Sequence, residues 1–285
     1  MARHLVLGSI TQLTADNSGC HALVGSHGGL YTAATATAIG VASLVCHDAG
    51  IGLQSAGIEG LTFLEKASIP GATVDFRSAR IGDAADMLAR GLISRVNDAG
   101  AACGVAPGMT AADAFVKFQA SKRHPAAGDT TLPDGSSEGR HLIAVALNQG
   151  GHHNVLAVDS ASLIRPADAD AIVVTGSHGG LPGGKAANAV KALVRCVVFN
   201  DAGVGIDGAG ISRLPVLDVR GIAGLTVAAQ SARIGEALST YQTGVISHAN
   251  GPARSLGAEP GQPLREFIHH LVNQSTCQSI CKEPL

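Results

Sequence analysis

A chain of 285 residues with 46% hydrophobic content can bury one large core or two ordinary ones. Only 15% of the residues are charged and the formal net charge is −2, which excludes the basic face that neutralises a row of phosphates, so nucleic acid is not an expected partner. With no Trp, six Phe and two Tyr against 37 Gly, the core must be Ala, Val, Leu and Ile packed closely on glycine, a composition suited to helices lying on a sheet.

The chain starts MARHLVLGSITQL, which reads as a first strand rather than a secretory leader, because no basic stretch precedes a long apolar one. The nearly uncharged run from Leu30 to Cys46 is shorter than the roughly 20 residues needed to cross a bilayer, and a helix followed by a strand explains it better. No membrane association is expected. The six cysteines, Cys20, Cys46, Cys103, Cys196, Cys277 and Cys281, show no CxxC spacing, which argues against a zinc knuckle or a disulfide scaffold and for a reducing cytoplasm.

Strand-length apolar runs then alternate with helix-length segments through GLISRVN (91–97) and beyond. Residues 121–140, dense in Pro, Gly, Ser and Asp, read as an exposed connection. A strand is expected over 141–147, a turn at NQGGHH, and a strand in 154–160. The later half predicts strands at 171–176, 195–200, 224–229 and 244–247, and helices at 184–194, 209–219 and 232–242. Terminal helices follow, and the polar QSTCQSICKEPL reads as a frayed tail.

The two halves carry the same motifs in the same order. ALVGSHGGL (22–30) returns as VVTGSHGGL (173–181), and HDAGIG (47–52) as NDAGVG (200–205). AGI, SARIGDA and GLISRVN return as AGI, SARIGEA and GVISHAN. Gly25 falls on Gly176, 151 residues later, and Asp48 on Asp201, 153 later, so two residues have entered near LPGGKAA. Five motifs in one order exceed chance, and a two-copy repeat of this length is a duplicated domain rather than a solenoid. The expectation is an α/β protein: a tandem duplication of two doubly wound, Rossmann- or flavodoxin-like parallel sheets with pseudo-two-fold symmetry. The expected division is a first repeat over 1–118, a connection with one strand over 119–153, and a second repeat over 154–285.

In an open parallel sheet, ligands gather at the carboxyl ends of the strands, and the shared motifs fall there. Their glycines alone could be tight turns. Packing, however, does not require His, Asp and Arg beside them. The leading expectation is an enzyme for a small polar, carboxylate-bearing metabolite, a hydrolase of a cyclic amide or ester-like bond, or a lyase or isomerase. His27 and His178 would be the acid–base groups, with Asp48 and Asp201 orienting them or serving as bases. Arg80 and Arg233 would grip the carboxylate, and the amides of Gly28, Gly29, Gly179 and Gly180 would hold an oxyanion. Ser26, Ser177, His47, Asn200, Ser78 and Ser231 complete the expected substrate-binding set. The competing expectation pairs Arg80 with Asp48, and Arg233 with Asp201, as internal ties.

A Ser–His–Asp triad within one motif is disfavoured, because Ser26 and His27 are neighbours on a strand and point opposite ways. Cys46 precedes His47 and could offer a thiolate, although a Cys in an apolar run reads first as core. No cofactor is expected. A divalent metal on His27, His47, Asp48, His178 and Asp201 is one alternative, and a two-lobed binding protein without turnover is another. Gly179 to Lys185 has P-loop glycine and lysine spacing, but Ala186 stands where a Ser or Thr should bind magnesium. The partner is a small molecule, and the Ala-rich helices are compatible with a homo-oligomer.

Overall fold

The computed structural model describes residues 4–121 and 138–280. Most of the connection expected at 121–140 therefore lies outside the described residues.

The first sheet is built from β1 (His4–Leu7), β2 (His21–His27), β3 (Ser43–His47), β4 (Gly71–Val74) and β5 (Ile93–Val96), paired in that order. The first four run parallel and β5 returns antiparallel after an irregularity at Thr73/Val74. The second sheet contains β6 (Arg140–Ala146), β7 (His152–Val158), β8 (Ile172–His178), β9 (Cys196–Asn200), β10 (Ala223–Val227) and β11 (Ile246–Ala249), again in sequential order. Strands β7 to β11 repeat the pairing of β1 to β5, and β6 adds an antiparallel outer edge. His152 and His153 open β7 instead of forming a turn.

The sequential order corrects the doubly wound expectation. A doubly wound sheet reverses direction once, leaving a switch point. Here each parallel crossover adds its strand to the same edge, and the sheet closes with an antiparallel strand, so no reversal occurs.

Both sheet faces are nonetheless covered, because central strands such as β2 and β3 are apolar on both sides. Ala22, Val24, Leu44 and Cys46 face α1 (Leu30–Ile39) and α2 (Gly60–Lys66). Leu23, Val45, Ala72 and Val74 face α3 (Ala84–Arg90) and α5 (Ala111–Ala120), whereas the short α4 (Asp98–Ala101) follows β5. In the second half, α6 (Arg213–Val219) covers one face, and α7 (Ala237–Thr243), α8 (Gly251–Ser255) and α9 (Leu264–Ile280) the other. Leu264, Phe267, Ile268, Leu271 and Val272 of α9 are all buried, a helical stripe in which each large side chain contributes about 1.5–3 kcal/mol. The helix runs on to Ile280, through the start of the segment expected to fray. No helix among the described residues is long and apolar enough to cross a membrane.

The helix expected over 184–194 does not form. Two 3-10 turns, Pro182–Gly184 and Ala186–Asn188, stand in the place that α1 takes in the first half. Gly183 and Gly184 adopt positive φ (60° and 66°), which a right-handed helix cannot use.

The halves meet at a pair of left-handed turns. Ala49, Gly50, Ile51 and Gly52 all have φ between 51° and 72°, and Ala202, Gly203, Val204 and Gly205 between 50° and 75°. Such turns cost the non-glycine residues roughly 1–2 kcal/mol each and persist only where surroundings enforce them. The turns face one another so closely that a Cβ on Gly50 would lie 2.9 Å from Gly203 Cα. The Leu53 amide donates to Ala229 O at 2.8 Å, and the matching Ile206 amide donates to Phe76 O at 2.9 Å. Ala49, Ala56, Ile81, Ala202, Ala209 and Ile234 form one apolar cluster across the junction.

Candidate functional site

The retained carboxylates turn out to hold the left-handed turns. Asp48 Oδ1 accepts from the Gly50 amide at 3.1 Å and the Phe76 amide at 2.9 Å. Asp201 Oδ1 accepts from the Gly203 and Ala229 amides, both at 2.9 Å. Both side chains are buried, and burial raises the Asp48 pKa above the usual carboxylate range. Neither meets Arg80 or Arg233.

His47 and Asn200, although different residues, do the same work. His47 Nδ1 accepts from the Ala49 amide at 3.0 Å while Nε2 donates to Ala79 O at 3.0 Å. Asn200 Oδ1 accepts from the Ala202 amide at 2.9 Å and Nδ2 donates to Ala232 O at 3.1 Å. Each is a fully buried tie between the left-handed turn and the SAR loop. Imidazole and carboxamide present an acceptor and a donor at similar spacing, which explains the exchange.

The serines and arginines are also engaged. Ser78 Oγ donates to Asp75 O and accepts from the Leu92 amide, and Ser231 repeats this with Ala228 O and the Val245 amide. Ser26 and Ser177 accept from the Ile10 and Ala161 amides at 3.0 and 2.8 Å. Arg80 pairs with Asp86 and, across the junction, with Asp207 at 2.9 Å. Arg233 pairs with Glu236 and, across the junction, with Glu59, both at 2.6 Å, and donates to Gln54. The arginines thus link the two halves. The Gly28 and Gly179 amides donate to His47 O and Asn200 O, and the Gly29 and Gly180 amides to His27 and His178, so none faces an incoming oxyanion.

The two histidines that remain differ from all of these. His27 ends β2 and His178 ends β8, and both are half-buried. Nδ1 of His27 accepts from the Gly29 amide at 3.2 Å, and Nδ1 of His178 from the Gly180 amide at 3.1 Å. With Nδ1 accepting, the neutral ring carries its proton on Nε2. Among the described residues neither Nε2 has a hydrogen-bond partner. Each ring edge crosses to the other half: Cε1 of His27 lies 3.3 Å from where a Cβ on Gly235 would be, and Cε1 of His178 lies 3.2 Å from the same point on Gly82. Both glycines are at positive φ, a backbone conformation that a residue with a side chain would strain to adopt. Burial holds both imidazoles neutral, lowering His27 to about 4 and His178 well below its ordinary value.

Both rings line a cavity of about 480 Å³ between the halves, together with the equivalent pairs Ser9 and Ser160, Thr11 and Ser162, and Ser26 and Ser177. The size suits a small molecule. The sequence reading selected neither the lining hydroxyls of Ser9, Thr11, Ser160 and Ser162 nor the titratable lining residues Tyr31, Glu138, Asp159, Lys191 and Arg213. Burial pushes Glu138 up to about 7, against the opposing effect of a hydrogen bond from Ser160 and with help from the nearby Asp159. Arg213 stands opposite Gly60 in the repeat, a mismatch that the alignment could have exposed. Glu138 falls within the stretch read from the sequence as an exposed connection and carries no sequence signal. Lys185 also lines the cavity, but only a short 3-10 turn and no α-helix starts after it, so the strand–loop–helix context of a P-loop is lacking.

Cys46 is buried in the cluster beneath α1 and α2, and burial pushes its thiol up, away from thiolate chemistry. Among the described residues no three His, Cys, Asp or Glu side chains converge as a metal site. Of the ligand set considered from the sequence, only His27 and His178 keep a free nitrogen. Comparison with protein-family models, with curated proteins and with solved structures finds no match to this chain.

Proposed function

We propose that the protein is an enzyme that takes a small polar, carboxylate-bearing molecule into the cavity between the two GSHGG loops and turns it over by acid–base chemistry, as a hydrolase, lyase or isomerase. The observation that carries this reading is the pair of imidazoles whose Nδ1 atoms are fixed by backbone amides and whose Nε2 atoms are free at one cavity. A neutral imidazole held in this way donates from Nε2 to a substrate carbonyl as negative charge grows on its oxygen. Glu138, pushed up to about 7 by burial, is suited to take up or return the proton that such a reaction displaces.

We further infer that the halves descend from one unit by tandem duplication, each sheet being singly rather than doubly wound. The shared motif order and the equivalent pairing of β1–β5 and β7–β11 support this. A reducing cytoplasmic setting agrees with the buried free thiols Cys20, Cys46 and Cys196.

The test is to identify molecules that copurify with the protein by mass spectrometry, to screen small carboxylates by thermal shift, and to measure turnover of the best binder. His27→Ala and His178→Ala should each reduce turnover by about 10²–10⁴-fold. Full binding and turnover in both variants would overturn the assignment.

A further inference from the structure

The cavity is built on equivalent backbones but is not symmetric in charge. In the first half α1 packs over the position of Gly60, where a Cβ would come within 2.7 Å of Gly28 O and Gly29 O and 2.8 Å of Ala33 Cβ. In the second half the equivalent helix is missing, and Arg213 occupies the space. Its Nε donates to Gly180 O at 3.0 Å, its Nη1 donates to Ala189 O, and its guanidinium lies 4.7 Å from the centre of the Phe199 ring.

Arg213 is only 5% exposed, yet no carboxylate pairs with it among the described residues, and its Nη2 makes no hydrogen bond there. A buried charge without a counter-charge is costly, so such a group marks a place where an anion would be stabilised. Lys185 and Lys191, both in the second half, also line the cavity. Lys191 donates to Ser162 O at 2.7 Å, whereas exposed Lys185 has no partner among the described residues. Two acidic residues also line the cavity. Asp159 is occupied by the Gly139 and Ala237 amides, and Glu138 is held with Ser160, so neither neutralises Arg213. The positive charge of Arg213 acts on His178 and is not among the influences on His27.

We infer that Arg213, with Lys185, seats the anionic group of the bound molecule beside His178, so that the reacting end of that molecule faces His27. This rests on reading the cavity as a small-molecule site. It replaces the expected grip by Arg80 and Arg233 with a single buried guanidinium and makes the cavity directional. A carboxylate and a phosphate group share the required chemistry, and the experiment separates them.

The full chain, labelled with ¹³C-histidine, would be titrated with acetate, malonate and inorganic phosphate while the Cε1–H signals of His27 and His178 are followed, with His178→Gln used for assignment. An anion beside His178 should raise its pKa by about one unit and shift His27 less. Arg213→Lys, which keeps the charge but shortens the reach, should weaken binding about tenfold. Lys185→Ala, at an exposed position where folding is not at stake, should weaken it about threefold. Stronger binding of malonate than of phosphate assigns a carboxylate, and the reverse assigns a phosphate. An unmoved His178 signal with all three anions, or wild-type affinity in both variants, overturns the proposal. Because binding is read without turnover, an absent shift alongside loss of turnover in His27→Ala removes the anion seat and leaves the catalytic reading standing. A full shift alongside intact turnover does the opposite.

Discussion

Replacing Asp48 separates a structural carboxylate from a catalytic one. Its Oδ1 accepts two amides, those of Gly50 and Phe76, that have no other acceptor among the described residues and hold a left-handed turn against the opposite half. Asp48→Ala abandons both amides, at about 1–3 kcal/mol each, for a loss of about 2–6 kcal/mol. Asp48→Asn keeps an oxygen in the same place and gives up only the charge assistance, about 1 kcal/mol. At about 2–4 °C per kcal/mol for a chain of this size class, the alanine variant should melt roughly 10 °C below wild type and the asparagine variant a few degrees below. Urea denaturation followed by circular dichroism, with thermal melts alongside, measures both. The same ordering is expected for Asp201→Ala and Asp201→Asn, whose acceptor bonds match. Equal losses in the two Asp48 variants, or no loss in either, would refute the reasoning. So would an Asp48→Asn protein that keeps its stability but loses turnover a thousandfold, the behaviour expected of a reacting carboxylate.

Gly50→Ala would set a Cβ 2.9 Å from Gly203 Cα at a φ of 71°, and should cost about 2–4 kcal/mol; Gly19→Ala, at a φ of 72° but with open space, should cost about 1 kcal/mol. Similar melting temperatures for the two variants would show that the halves do not meet as described. His27 is lowered to about 4 by burial, so its neutral form favours folding fully above its ordinary value near 6.5, and that contribution is lost as the pH falls from 6.5 through 4. Glu138, raised to about 7, acts oppositely, its contribution present at low pH and lost as the pH rises from about 4.5 through 7. His27→Gln should therefore flatten the acid limb of the stability profile, and Glu138→Gln should improve stability near pH 7; unchanged profiles would count against both placements. Arg80→Ala and Arg233→Ala should lower stability by about 1 kcal/mol or less for the more exposed Arg80 and somewhat more for Arg233, with small-molecule binding unchanged. Loss of binding at full stability would restore the arginines to the site.

Residues that are near neighbours in sequence fixed much of the architecture. Short, β-branched apolar runs such as IVVTG and CVVF read as strands covered on both faces, and the repeated motifs between them already imply two α/β halves with equivalent loops. The motifs also located the strand ends where the cavity lies. Their chemistry was not legible, because a polar residue retained in both halves looks the same whether it serves a ligand or a backbone amide. Asp48, Asp201, His47, Asn200, Ser78 and Ser231 are kept for amides and carbonyls up to some thirty residues away, and only the folded chain brings those groups within reach. Arg80 and Arg233 find their partners more than a hundred residues away, across the junction between halves. His27 and His178 are set apart not by their identity but by what is missing around Nε2, and Arg213 by a helix that fails to form. Such vacancies arise from packing at long range, which local pattern and propensity do not encode.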